Sequence, residues 1–244
     1  MIEARGLAKS YGKRRALAPL DLRIEAGELV ALLGANGAGK TTALGMLSGQ
    51  LVPDEGHALL GGHDVFAAPL PARRCLGYVA QDTLLPAQLT VEELAEFACA
   101  VKSMTLDRRE LRRLLELTAL DGDGDRAVGE LSHGMQRKAG WVVALVTEPE
   151  ALLLDEGLAG LDAASSAALA EEVVARLRRK RCAVLWTEHD LALLTPAVTR
   201  AVVLAGGELV ETVDGDRVRA LAEAEGFDGL LARWTGGARR AGAK

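Results

Sequence analysis

Gly34-Ala35-Asn36-Gly37-Ala38-Gly39-Lys40-Thr41, with Thr42 directly after, fits the phosphate-binding pattern G-x-x-x-x-G-K-[ST] at every fixed position. Glycines at these spacings let backbone N–H groups close around phosphate oxygens, and the positive end of a following helix faces the anion. Lys40 is placed to reach the β- and γ-phosphates, and the Thr41 hydroxyl to hold Mg²⁺. The chemistry this predicts is binding of a nucleoside triphosphate.

Hydrolysis needs more: a carboxylate for the metal, a group to position water, and a sensor of the γ-phosphate. Asp155 ends an apolar run, at the carboxyl end of a predicted strand, where open α/β sheets place their ligands. It is the natural carboxylate behind a Thr41–Mg²⁺ contact, and Glu156 beside it can polarise the attacking water. Gln81 follows another predicted strand, and its neutral amide can reach both metal and water. His189 follows a third, where it either contacts the γ-phosphate or serves a structural or solvent-facing role. Tyr11, one of two tyrosines, either stacks on an adenine ring or packs. Ser132 suits an N-cap, making a second helix N-terminus able to receive an anion.

The elements around these residues are legible from periodicity. Leu29–Leu33 reads as a buried strand before the loop, preceded by a strand ending near Ile24. Lys40–Ser48 reads as a helix stopped by Gly49. A turn at Pro53–Gly56, a strand at Ala58–Leu60, a turn at Gly61-Gly62 and a strand at Leu76–Val79 follow. From 83 to 133 the pattern becomes helical. Thr90 and Glu93 form a capping box before Leu94, Phe97, Ala98 and Val101, and Leu106–Leu120 is a second amphipathic helix. A helix then opens at Ser132 and runs to about Thr147, and Ala151–Leu154 is a strand. Asp162 caps a helix over Ala163–Arg181 that the Glu172/Arg176 spacing supports. Cys182–Thr187 is a strand, Ala201–Leu204 and Glu208–Val213 pair, and residues 216–244 read as a short helix and a polar tail.

Composition sets the outer limits. At 244 residues the chain can bury one substantial core, and with 3% aromatics that core is aliphatic. A net charge of −5 argues against a general nucleic-acid binder, and the arginine pairs at 108–109 and 112–113 read as solvated faces. Cys75, Cys99 and Cys182 form no C-x-x-C pair, which predicts reduced thiols without a metal site. No signal peptide is expected, and no apolar run approaches the ~18 residues of a membrane span. Asp121–Asp125 resembles the start of a calcium loop, but Arg126 and Ser132 stand where that loop needs Gly and Glu.

In this order the motifs resemble the ATP-binding subunit of ABC transporters, over residues 1–215. Tyr11 matches the adenine-stacking aromatic, Gly34–Thr42 the Walker A loop, and Gln81 the Q-loop. Leu131–Met135 matches the LSGGQ signature, Leu152–Glu156 Walker B, Gly160-Leu161-Asp162 the D-loop, and His189 the switch histidine. The resemblance implies an α/β P-loop ATPase core with a small antiparallel β subdomain and an α-helical subdomain inserted at about 83–133. Residues 216–244 would then be a C-terminal helix and tail. It further implies a head-to-tail homo- or heterodimer closed on two ATP molecules with Mg²⁺. Ser132 and Gly134 of each chain would complete the partner's γ-phosphate site. The insertion would receive a coupling helix from separate transmembrane permease chains, with the subunit peripheral on the cytoplasmic face of the membrane and no nucleic-acid partner.

Two residues depart from the family pattern. His133 stands where the signature usually has glycine, putting the trans contact there in doubt. Glu156-Gly157-Leu158 replaces Glu-Pro-Thr, which adds backbone freedom beside the carboxylate. Met135 and the short C-terminus look most like export subunits, with an importer subunit or a ribosome- or nucleic-acid-directed ABC ATPase as alternatives. A different P-loop enzyme, such as a GTPase, lacks support because no N-K-x-D is present.

Overall fold

The computed structural model describes residues 1–82, 84–179, 181–188 and 193–224. The elements run β1 (Ile2–Tyr11), β2 (Arg14–Ile24), β3 (Leu29–Leu33), α1 (Lys40–Leu47), β4 (Glu55–Leu60), β5 (His63–Asp64), α2 (Pro69–Cys75) and β6 (Leu76–Val79). Then come α3 (Val91–Val101), α4 (Arg108–Leu117), α5 (His133–Leu145), β7 (Ala151–Asp155), α6 (Ala163–Arg178), β8 (Ala183–Thr187), β9 (Arg200–Ala205) and β10 (Glu208–Asp214). Residues 215–224 are helical.

Two sheets organise these elements. A six-stranded sheet has the order β10-β9-β3-β8-β7-β6, and a four-stranded antiparallel sheet the order β2-β1-β4-β5. In the larger sheet only β10 runs antiparallel to its neighbour. The runs Leu29–Leu33, Ala151–Asp155 and Ala183–Thr187 are buried at every position, as a parallel sheet covered on both faces requires. Alternation along β3 shows the two faces. Leu29, Ala31 and Leu33 point into a core shared with α3, α4, α5 and α6, whereas Val30 and Leu32 join α1 and the antiparallel sheet.

The inserted helices do not build a core of their own. Leu94 of α3 and Leu111, Leu114 and Leu115 of α4 belong to the same cluster as β3, β7 and β8. The capping box holds: the Thr90 hydroxyl accepts from Glu93 N at 3.1 Å, and the Glu93 carboxylate accepts from Thr90 N at 2.8 Å. Of the apolar stripe on α3, Leu94 is buried while Phe97 and Val101 stay exposed. The helix α4 is shorter than the Leu106–Leu120 expectation. Asp107 caps its start by accepting from Arg109 N, and Ala119 ends the segment with a left-handed φ of 53°. The helix α6 likewise stops at Arg178 rather than Arg181. Two elements were not expected, β5 and α2. The latter spans seven residues, begins Pro69-Leu70-Pro71 and buries only Ala72, so it leaves no periodic pattern to read.

Arg113 is exposed, as expected of a solvated arginine face, but it is also ion-paired. Its Nη1 and Nη2 donate to the two carboxylate oxygens of Glu172 at 2.9 and 2.8 Å, and its Nε donates to Glu110 at 2.8 Å. Arg176 closes the cluster, donating to Glu172 at 2.7 Å and to Glu110 at 2.9 Å, so four charges tie α4 to α6. Burial pushes the Glu172 carboxyl up, but hydrogen bonds from Arg113 and the Arg176 charge outweigh it and hold the group below 4.5. Its contribution is therefore complete above that value and is lost as pH falls through the folded-state value. Glu172→Gln is expected to lower unfolding free energy by about 2 kcal/mol at pH 7. Denaturant titrations at neutral and acidic pH check this, since the gap between variant and parent closes as the solution is acidified.

Candidate active site

The chain leaves β3 at Gly34 and re-enters helix at Lys40, and the glycines at the two ends of this loop stand where a side chain has no room. A Cβ on Gly34 (φ 152°) would lie 2.4 Å from Leu204 O, and one on Gly39 (φ 106°) 2.7 Å from Ala16 O. No side chain caps α1 and no acidic residue stands in its first turn, so the helix presents its positive end unshielded. Lys40 folds back over this loop, its Nζ donating to Gly34 O at 2.7 Å. Burial depresses the Lys40 ammonium, against the opposing charges of Glu156 and Asp155.

A cavity of about 590 Å³ opens over the loop, lined among others by Tyr11, Asn36, Lys40, Thr41, Gln81 and Glu156. Residues from positions 11 to 156 thus meet in one concave space, with a cation and helix N–H groups at one end and an exposed aromatic ring at the other. Tyr11 is 54% exposed, and the Lys9 ammonium lies 6.0 Å from its ring centre.

Asp155 sits behind Thr41 and is almost fully buried. The Thr187 hydroxyl donates to its Oδ1 at 2.7 Å. Burial pushes the Asp155 carboxyl up, while hydrogen bonds from Thr187 and Thr41 and the Lys40 charge work against that shift. Glu156 turns the other way. Its backbone is left-handed at φ 50°, and its Oε2 accepts from Gln81 Nε2 at 3.0 Å. One carboxylate therefore faces the Thr41 hydroxyl while its neighbour faces the open cavity beside the Gln81 amide. The arrangement can bind a polyphosphate at the loop and accept a proton from water at Glu156.

Ser132 and Gly134 do not line this cavity. Ser132 caps α5, its hydroxyl accepting from Met135 N at 3.3 Å, and the helix start faces Gly160. Asp162 caps α6 and accepts from Lys138 Nζ at 2.9 Å. His189 lies outside the described residues. Gly157 does not loosen its loop as expected. A Cβ there would lie 2.9 Å from Trp141 Cζ2, the Trp141 indole N–H donates to Gly157 O at 2.8 Å, and the next amide, Leu158 N, donates to Glu188 at 2.7 Å.

Several residues of the site gave no usable signal in the sequence. Arg14 lines the cavity because the β1–β2 hairpin pairs it with Tyr11. Thr187 meets Asp155 because β7 and β8 pair Asp155 with Thr187. Both follow from strand register, which no local pattern prints. The three cysteines are free thiols, with Cys99 and Cys182 buried.

Strand, glycine loop, helix and an acidic strand end at one sheet edge define a P-loop nucleotide-binding fold. The chain belongs to the ABC transporter family: the family's sequence model, described as ABC transporter, matches residues 17–159. It is 35% identical over 227 residues to the sulfate/thiosulfate import ATP-binding protein CysA of Methylococcus capsulatus, covering 89% of this chain and 64% of that one. It is 31% identical over 223 residues to the lipopolysaccharide export system ATP-binding protein LptB of Haemophilus influenzae, covering 89% and 92%. The fold matches a solved ATP-binding subunit of an ABC transporter at a TM-score of 0.85 and 27% identity, over 96% of this chain and 99% of the other. The protein is an ABC-type ATP-binding subunit and an ATP hydrolase.

Gly39→Ala is expected to destabilise the protein by about 1–3 kcal/mol, because the methyl meets the Ala16 carbonyl in a left-handed backbone. ATP affinity should fall about tenfold or more with the distorted loop, which calorimetric titration of the refolded variant checks.

Proposed function

We propose that this protein is the ATP-hydrolysing subunit that energises transport through separate membrane-spanning partner chains. The observation that carries the reading is the convergence of Tyr11, the Gly34–Thr42 loop, Gln81 and Glu156 on one cavity. Tyr11 stacks on the adenine. The N–H groups of Gly34, Ala35, Asn36, Gly37, Ala38 and Gly39, with Thr42, hold the phosphates, and Lys40 reaches the β- and γ-phosphates. Thr41, Gln81 and Asp155 offer only hard oxygen donors, a set that suits Mg²⁺. When bound there, Mg²⁺ neutralises charge on the β- and γ-phosphate oxygens. Glu156 accepts the proton of the attacking water as the bond from the γ-phosphorus to the bridging oxygen breaks, giving ADP and phosphate. His189 is assigned the γ-phosphate contact from sequence order.

Ser132 and Gly134 stand away from their own chain's cavity, which suits a head-to-tail dimer in which each completes its partner's site. We divide the chain into an ATPase domain over 1–215, with a helical subdomain at about 83–133, and a C-terminal segment over 216–244. An apolar groove of about 310 Å³, lined by Leu85, Pro86, Phe97, Ala98 and Val101, lies beside the Gln81 segment. It suits the coupling helix of a permease chain. Among the described residues no helix is long and apolar enough to cross a membrane. The family supports a place for this subunit on the cytoplasmic face, held there by its partner. Met135 supports export as the direction; relatives named for import and for export both match.

Lys40→Ala is expected to reduce hydrolysis to background, and Glu156→Gln to lower it about a hundredfold or more while retaining ATP and accumulating dimer. Steady-state assays and size-exclusion chromatography read both. Ser132→Ala should weaken ATP-driven dimerisation, and unchanged dimerisation would remove the cross-dimer role. The direct test of the transport reading is purification of the tagged subunit from detergent-solubilised native membranes. A stoichiometric polytopic membrane chain supports it, and a ribosomal or nucleic-acid complex without one overturns it.

A further inference from the structure

Arg137 stands in the second turn of α5, and its guanidinium reaches two loops at once. Its Nη1 donates to Gln81 O at 2.6 Å and its Nη2 to Glu156 O at 2.7 Å. These carbonyls belong to the residue that presents its amide to the cavity and to the residue that presents its carboxylate. The third nitrogen, Nε, is buried and has no hydrogen-bond partner among the described residues, so the side chain is held by its fork and by packing. Four residues on, Trp141 is fully buried and donates to Gly157 O, its six-membered ring occupying the space a Gly157 Cβ would need. Trp141 in turn packs on Trp186 of β8, with ring centres 5.6 Å apart. Two successive carbonyls after β7 are therefore fastened to one face of α5.

The backbone of Glu156 shows why this matters. A glutamate at φ 50° occupies a region that L-residues leave unless neighbours hold them there. Its N–H donates to Thr187 O at 2.9 Å, with Thr187 Oγ1 3.1 Å from the same nitrogen, and this fixes one side of the residue. On the other side its carbonyl accepts from Arg137 Nη2 at 2.7 Å and from Ala159 N at 3.2 Å, so Arg137 is the contact that reaches it from another element. With both ends fixed the side chain is aimed at the Gln81 amide, whose own backbone the same guanidinium holds. A planar fork with two parallel donors suits this bridging better than a single ammonium point.

We propose that Arg137 is a positioning residue for ATP hydrolysis: it sets the direction of the Glu156 carboxylate and its registry with Gln81. The same helix begins at Ser132 and Gly134, so any displacement of its start is delivered to the catalytic loop through this side chain. The proposal rests on the reading of Glu156 as the base.

The test is a cycle of purified full-length variants: parent, Arg137→Met, Glu156→Gln and the double variant. Arg137→Met is expected to lower kcat about tenfold to a hundredfold, with KM for ATP within about twofold of the parent. In the Glu156→Gln background the same substitution should change the residual rate less than about twofold, because the group it positions is gone. An equal loss in both backgrounds, or a loss confined to KM, overturns the proposal. Parent-like turnover by Glu156→Gln alone instead removes the base assignment, a separate outcome. Should Arg137→Met fail to fold, Arg137→Lys keeps the charge but gives up the two-pronged fork. A kcat loss of about fivefold or more with KM within about twofold supports the proposal, and a parent-like kcat overturns it.

Discussion

Because β3, β8 and β7 lie side by side in parallel register, their carboxyl ends finish at one edge of the sheet. Ala31 is level with Trp186, Trp186 with Leu154, and Asp155 with Thr187. The loop that follows each strand must then start from the same edge, and these are the glycine loop, the Asp155–Leu158 loop and the Thr187-Glu188 segment. The register is held by burial on both faces, since every residue of these strands is buried. A slip of one residue would turn Val30 and Leu32 toward the helices and Leu29, Ala31 and Leu33 toward the antiparallel sheet, emptying both cores. Site geometry is in this sense a by-product of apolar packing.

On that edge the two adjacent carboxylates take opposite surroundings. Asp155 is the last residue of a buried strand, and its charge is supported by Thr187, Thr41 and Lys40. Glu156 leaves the strand through a left-handed turn and meets the cavity. The turn is held from both sides, by Thr187 on β8 and by Arg137 on α5. Gly157, which breaks the family's usual Glu-Pro-Thr, fits the same picture. It makes room for Trp141, so the missing ring of proline is replaced by packing from a neighbouring helix rather than by slack. The loop is fixed by tertiary contact instead of by local covalent geometry.

The inserted helices serve both ends of this arrangement. Through Leu94, Leu111, Leu114 and Leu115 they share the main core, and through the Arg113–Glu172–Arg176–Glu110 cluster α4 is tied to α6. Their exposed side keeps Phe97 and Val101 uncovered next to the Gln81 segment. That surface belongs to a piece that shares its core with the strands bearing the site.

The sequence by itself determined the local chemistry. A glycine loop after an apolar strand and before a helix can be read from Gly34–Thr42, because its function depends on residue types at fixed spacing within one turn. The capping box at Thr90 and Glu93 and the strand ends at Val79 and Asp155 were legible for the same reason: each is decided by neighbours a few residues away. The ends of α4 and α6, the short α2 with its two prolines, and the pair His63–Asp64 were less so, since few buried residues mark them. What only the tertiary structure decided was which distant groups meet. Thr187 reaches Asp155 through strand register, Arg14 reaches the cavity through a hairpin, and Arg113 finds Glu172 across two helices. Arg137 and Trp141 grip the catalytic loop from a helix whose sequence shows only its cap. Such contacts depend on long-range packing that closes the chain on itself, and the identity of a residue carries no record of the partner that packing brings to it.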